Sequence, residues 1–497
     1  MKIKYIAAIL AILLLISTLA GCSSGEGNDE ELTTTESTTA KITDDSTFKL
    51  SYTQADSLDP FKATAQNNQV LASLVFESLF DINEAYEITP NIASGYEFED
   101  SETLRVDIKS GLTFSNGESL TPDDVAYSVE AAMDSPAYSS LLEGISGVSA
   151  GDNSVTIYLS YPNIYAVNLL TFPITSLHND EDGFPLGNGR YHYADNGGKT
   201  VLCANVSESF NPYITTINLV NIAASDSIDN AINIGNISYA YRDLSTDISK
   251  RISSAKKLTG INNLVFIGAN GTSGITSDVH IRRAISLAAD RQMLCDSAYS
   301  GYASVALSPF NPYFSATNGV SIFSANADTA AAKQAIVQSG YSADKLSLSV
   351  LVYKNNEAKL AMAKLLKSEL EAAGFSVIID EEYYSDYLSK IAYGQYDLYI
   401  GEVKFSDDMC MYSLLSKEGA SSWHIDYDNL TCDDVYEGYL SGNEEIGKFM
   451  LSFNDEMPFI PLLYRKGMIC YTKAMNGDMQ GYYGNLFSNI ESWNFNS

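Results

Sequence analysis

Basic residues are scarce in this chain of 497 residues: 30 lysines and arginines stand against 62 aspartates and glutamates, a formal net charge of −32. That balance makes nucleic acid and anionic lipid poor partners, since both favour a positive face. The acidity reads as a solubility device. Cysteine is also sparse. Beyond Cys22 there are Cys203, Cys295, Cys410, Cys432 and Cys470, widely spaced and odd in number, so they form no disulfide framework and read as buried free thiols. Cys410 with Cys432 is the one pair worth testing. The four histidines, His178, His192, His280 and His424, lack metal-ligand spacing, and Cys-x-x-Cys, His-Glu-x-x-His and Gly-x-Ser-x-Gly are absent. The run 442–449 lacks the closing Ser/Thr of a phosphate loop and puts two glutamates where phosphate would sit, so it reads as a turn into a helix. Glu381 and Glu382, adjacent on a strand, point to opposite faces and cannot form the facing carboxylates of a glycosidase. A surface-anchored hydrolase is therefore the reading with least support, and no cofactor is expected.

Long apolar runs are missing too, except at the start. Lys2 and Lys4 precede an apolar stretch at 6–16, followed by Leu19-Ala20-Gly21-Cys22. A positive segment, a short apolar segment and small residues before a cut are the layout of a secretory signal. The cysteine at the cut resembles the lipobox of bacterial lipoproteins, which makes Cys22 the expected site of lipidation and 1–21 a signal peptide. Each buried methylene of an acyl chain contributes about 0.8 kcal/mol, so a multiply acylated cysteine holds a soluble body at a membrane. Loss of 1–21 removes two lysines and no acids, which leaves 62 acidic against 28 basic side chains, a net of −34. Residues 22–46 are Ser, Thr, Gly and acid with almost nothing to bury, and are expected to be a disordered tether.

The remaining 450 or so residues exceed one core and suggest two or three domains. Phe48, Leu50 and Tyr52 alternate with polar neighbours, as do Leu104, Val106 and Ile108, and Val155, Ile157 and Leu159, which predicts half-buried strands. Thr121-Pro122-Asp123-Asp124 is a helix start: hydroxyl cap, proline in the first turn, and acids where the macrodipole favours them. A second helix begins near Ser277 with Ile281, Ala284, Ile285 and Ala288 on one face and Arg282 and Arg283 expected on the other. A third runs from about Asn356 to Ala373, stops at Gly374 and feeds a strand at Phe375, Val377 and Ile379. Interleaved helices and strands make this an α/β protein.

These pieces resemble, in order, the family 5 extracellular solute-binding proteins, the oligopeptide-, dipeptide- and nickel-binding lipoproteins of ABC transporters. The resemblance rests on 57–83 with Leu58-Asp59-Pro60, on 88–133 almost throughout, on PLGNGRYHY at 185–193, on DVHIRRAISLAADRQML at 278–294 and on EMPFIPLLYRKG at 456–467. It implies a two-lobed periplasmic-binding-protein-like clamp (type II, cluster C) with an extra small domain. The implied division is lobe I at 47–80, 181–274 and 461–497, an inserted small domain at 81–180, and lobe II at 275–460. It further implies a monomer outside the membrane that captures a small ligand, an oligopeptide or dipeptide, by hinge closure and hands it to permease subunits. A metal chelate, an oligosaccharide or a sensory role remain alternatives on the same scaffold.

In peptide-binding members a carboxylate near the segment resembling 401–410 holds the peptide amine. Here Glu402 occupies the usual tryptophan position and Phe405 the usual acid position, while acids follow at Asp407 and Asp408. Amine capture is thus expected at Asp407, Asp408 or Glu402, with Asp407→Asn or Asp408→Asn weakening binding and leaving the fold intact. Gln54 and Asp56 after the first strand, Trp423 as an aromatic platform and Tyr464 in the closing strand complete the ligand-contact candidates.

Overall fold

The computed structural model describes residues 47–224, 226–244, 252–415 and 431–495. Cys22, the signal, the tether and Trp423 lie outside the described residues. Among the described residues the dominant element is one sheet of eleven strands. Its path runs Ser376–Glu382, Ser347–Tyr353, Leu398–Lys404, Ala255–Ala269, Phe459–Tyr471, Tyr239–Arg242, Phe48–Tyr52, Thr216–Asn221, Thr200–Ala204 and Tyr191–Asp195, with Ala303–Val305 set against Phe459–Tyr471. The first half, with helices Val279–Ala288, Thr329–Ser339 and Glu357–Ala373, encloses one core around Ile285, Val350 and Leu366; the far half encloses another around Leu50, Tyr239 and Trp493. This is the two-lobed α/β clamp.

Phe48–Tyr52 is not half-buried. It lies parallel to Thr216–Asn221 and Tyr239–Arg242 inside the sheet, and Ser51 is buried along with Leu50 and Tyr52. Parallel strands in sheet interiors are covered on both faces, which alternation over five residues does not reveal. The antiparallel sheet Ala93–Asp100, Thr103–Ile108, Ser154–Leu159, Ile145–Ala150 does alternate. One face packs Leu104, Val106, Val155 and Ile157 against Val125 and Val129 of helix Pro122–Met133. That helix starts as its sequence predicts, with Thr121 and Asp124 in a reciprocal capping box. Helix Glu357–Ala373 is capped by Asn356 and ends at Gly374, whose φ of 117° explains the glycine.

Two long strands, Ala255–Ala269 and Phe459–Tyr471, run through both lobes. Near one end Tyr471 pairs with Ala255 and Tyr239; at the other, Ala269 pairs with Leu398. The change of partner comes at an irregularity between Gly260 and Leu264, opposite Arg465, ahead of residue 275 and inside the segment 461–497. The two halves of the sheet therefore join through continuous strands, with a bulge where the pairing partners change.

Arg282 was expected on a solvent face and is buried instead. Its guanidinium donates to the carbonyls of Thr276, Ser277, Glu456 and Met457, the last two at the end of helix Ile446–Glu456. Five donors in a planar fork can satisfy a helix terminus that a short side chain cannot reach. All five described cysteines are free thiols, Cys410 and Cys432 included.

The glycines of PLGNGRYHY mark a close approach. A Cβ at Gly187 would sit 2.0 Å from the Val75 carbonyl oxygen, and one at Gly189 2.6 Å from the Val75 carbonyl carbon; the Gly189 N–H donates to that same oxygen at 2.9 Å. Backbone cannot retreat as a side chain can. Gly189→Ala is expected to cost about 1–3 kcal/mol, read as a lower urea midpoint.

Candidate ligand site

Strand Leu398–Lys404 ends beside this bulge, which brings Asn262 and Asn263 alongside it. The Phe405 N–H donates to the Asn262 carbonyl, and Phe405 sinks into an aromatic core with Phe266 and Phe310. Its neighbour Lys404 stays exposed. A turn closed by the Met409 N–H on the Ser406 carbonyl, with Met409 in the left-handed region, then presents Asp407.

Asp407 is fixed from two sides. Its Oδ1 accepts from Asn262 Nδ2 of the bulged strand at 3.1 Å, and its Oδ2 accepts from the Thr171 hydroxyl at 3.0 Å. Asn168 Nδ2 holds the Asp407 carbonyl at 3.3 Å. Among the described residues no cation lies within ion-pair distance of this carboxylate. Burial, with a smaller contribution from the charge of Asp408, pushes its pKa up to about 6, against the opposing effect of Thr171 and Lys404.

Asp407 faces two adjoining cavities. One, of about 290 Å³, is walled by Gln66, Gln69 and Ser73 of the first helix, by Tyr138, Thr171 and Phe172, by Tyr241 and Asp243, by 404–407, and by Tyr483. It thus lies between the far half of the sheet and the end of strand Leu398–Lys404. The other, of about 220 Å³, shares Ile82, Asp407, Tyr483 and Gly484 with it. A third, of about 420 Å³, continues past Lys404, Phe405 and Ser406 toward Tyr161 and Tyr412, whose rings stack at 4.0 Å. Shared lining residues join the three cavities into a groove whose walls mix polar and apolar groups, with Asp243, Lys404, Asp407 and Asp408 among its charges.

Beside the groove sits a buried charge network. Glu402 accepts from Arg465 Nη1 at 2.6 Å, from Lys359 Nζ at 2.9 Å and from Asn263 Nδ2 at 2.9 Å, while Arg465 Nη2 reaches Asp243 at 2.5 Å. Burial alone would raise the Glu402 pKa, but Lys359 and Arg465 override it and bring it down to about 2. This carboxylate is already spoken for by protein cations and is not available to a ligand amine.

Residues 87–422, more than half the chain, match the sequence profile of the bacterial extracellular solute-binding proteins, family 5. The chain belongs to that family. This family 5 protein is 23% identical over 382 residues to the nickel-binding protein NikA of Staphylococcus aureus, covering 72% of this chain and 75% of the relative. It is 24% identical over 403 residues to the periplasmic murein peptide-binding protein MppA of Escherichia coli, covering 69% and 72%. The crystal structure of a nickel ABC transporter protein from Bacillus halodurans superposes with a TM-score of 0.73 at 18% identity, covering 89% of this chain and 98% of that one. The family 5 protein is thus an extracytoplasmic substrate-binding component of an ABC transporter, not an enzyme. Its relatives differ in what they bind, so kinship alone leaves the ligand class open.

Of the residues singled out from sequence, the structure brings Asp407 and Phe405 to the groove. Asp408 borders the third cavity but, unlike half-buried Asp407, is itself buried and accepts from three donors: Asn163 Nδ2 at 2.7 Å, Ser406 Oγ and the Cys410 N–H. It is a buried tie between two segments, and replacing it is expected to disturb the turn. Asp56 accepts from the Thr64 and Ala65 N–H groups and the Thr64 hydroxyl, closing the loop ahead of helix Gln66–Val75. The Gln54 N–H donates to Asn221, and neither Gln54 nor Asp56 lines the groove. Tyr464 is buried in strand Phe459–Tyr471 and donates to the Pro309 carbonyl at 2.6 Å, so it packs the core. Sequence reasoning passed over Lys404, Asp243, Asn262 and Thr171, because only tertiary structure gathers segments from 171, 243, 262 and 404–407.

Proposed function

We propose that this family 5 protein captures a small peptide through its free amine and delivers it to the permease of an ABC importer. The observation that carries this reading is Asp407: a half-buried carboxylate without an ion-pair partner among the described residues, held in place from Asn262 and from Thr171, at the junction of two cavities. An ammonium donates to such a group, neutralises it and gains a charge-assisted hydrogen bond. Cavities on either side give room for side chains without demanding particular ones. Lipidation of Cys22, with 22–46 as tether, would keep the protein at the membrane that holds its permease.

A nickel complex, as in the relative from Staphylococcus aureus, is the competing cargo. Among the described residues no three His, Cys, Asp or Glu side chains converge to hold a metal ion, so a metal cargo would bring its own ligands. Native mass spectrometry of the purified protein separates the two. Retained masses of short peptides are expected; a retained mass with the isotope pattern of nickel would replace this reading.

A further inference from the structure

The four-stranded sheet shares no strand with the large one. Its chain enters soon after helix Gln66–Val75, whose Leu71, Leu74 and Val75 belong to the core of the far half, and on the way out Pro173 bridges back to Ser78. These links anchor it to the far half. Residues 161–171 reach the other way. Ala166, Val167, Leu169 and Leu170 sink into the core of the small sheet, while Tyr161 and Tyr165 pack against the aromatic core that holds Phe310 and Phe405. Three ties fasten that second side. The Asn163 carboxamide donates to buried Asp408 at 2.7 Å, the Ile164 N–H donates to the Leu440 carbonyl at 2.8 Å, and the Tyr161 ring lies flat on that of Tyr412. None of the three involves the long bulged strands. The same two segments wall the groove: Leu169 and Thr171 line the cavity of about 290 Å³ with 404–407, and Tyr161 and Leu169 line that of about 420 Å³ with Phe405 and Ser406.

We propose that residues 161–171 are a strap that clasps the small sheet to the first half of the large one across the groove, so that the groove opens only when the strap lets go. A contact that must break before two walls can part sets how much of the protein stands open without ligand. The assignment rests on the groove being the ligand site. It does not depend on which ligand fills it, and it is tested without one, so the strap and the peptide reading fail separately.

The test is hydrogen exchange at the Ile164 amide, with small-angle scattering of the same ligand-free samples at pH 8, for the wild type, for Asn163→Asp, and for Asn163→Asp combined with Asp408→Asn. The single change keeps an oxygen for the Tyr165 N–H, which Asn163 now accepts, but sets a carboxylate against Asp408. It is expected to speed exchange at Ile164 about ten- to hundredfold and to raise the radius of gyration, while thermal melting stays cooperative. The combined change swaps donor and acceptor, leaves an oxygen for Ser406 and the Cys410 N–H, and is expected to return both readings to wild type. Tyr161→Ala, which leaves Asn163 in place, is expected to move both readings as the single change does. Faster exchange at Ile164 with an unchanged radius of gyration would mean a local contact whose loss opens nothing, and it overturns the proposal. So does a combined variant that stays expanded, because the fault would then lie in the turn at 406–410 and not in the tie.

Discussion

Asp407→Asn is expected to weaken binding of amine-bearing peptides by about 2–3 kcal/mol, some 30- to 150-fold, as when one partner of a desolvated charge pair is truncated. The same change is expected to make the ligand-free protein more stable at pH 8. The sign follows from the raised pKa. Asp407 holds its proton up to about pH 6 in the fold, while an unfolded aspartate releases it near 3.9, so folding takes up a proton between those values. Stability therefore falls as pH rises from about 4 to 6, and an ionised Asp407 above that range is a liability that asparagine removes. Wild-type affinity for a free amine should in turn decline below pH 6, approaching tenfold per unit, and the asparagine variant should show no such dependence. Calorimetry and thermal melts across pH 5–8 read all three effects. A variant less stable than wild type, with affinity unchanged, would make Asp407 a structural residue like Asp408.

Glu402→Leu should act in the opposite way, on the fold. It removes the group that Arg465, 2% exposed, and Lys359, 14% exposed, share. Among the described residues the arginine then keeps only Asp243, and the lysine keeps no carboxylate. Breaking a buried pair from one side typically costs about 3–5 kcal/mol, because the remaining charge stays desolvated. The pH signature is also reversed. With its folded pKa depressed to about 2, Glu402 contributes its full stability above the unfolded value near 4.3 and loses it as pH falls from there toward 2. Urea unfolding at pH 7 and at pH 3 measures both the cost and its decline. A loss below 1 kcal/mol at pH 7 would mean that the network adds little to the fold.

Much of the fold was legible because it is locally written. The Thr121 and Asp124 capping box, the Asn356 and Gly374 caps, and the alternation of the small antiparallel sheet depend on residues within a few positions of one another. Phe48–Tyr52 misled because five residues with alternating apolar character look alike in a half-buried and a fully buried strand. Arg282 and Tyr464 misled for a shared reason: each has a polar tip satisfied by a carbonyl more than 150 residues away, and no local pattern announces it. The site was legible only in outline. Spacing pointed to the acids at 402, 407 and 408, but their fates are set by distant partners: Arg465 and Lys359 claim Glu402, Asn163 claims Asp408, and Asp407 is left to the groove.

The most direct measurement is a calorimetric comparison of one short peptide with its N-acetylated twin on the wild-type protein at pH 7.5. Acetylation deletes the ammonium and little else, so the free peptide should bind at least about thirtyfold more tightly. Equal affinity for the two would contradict capture of an amine by Asp407.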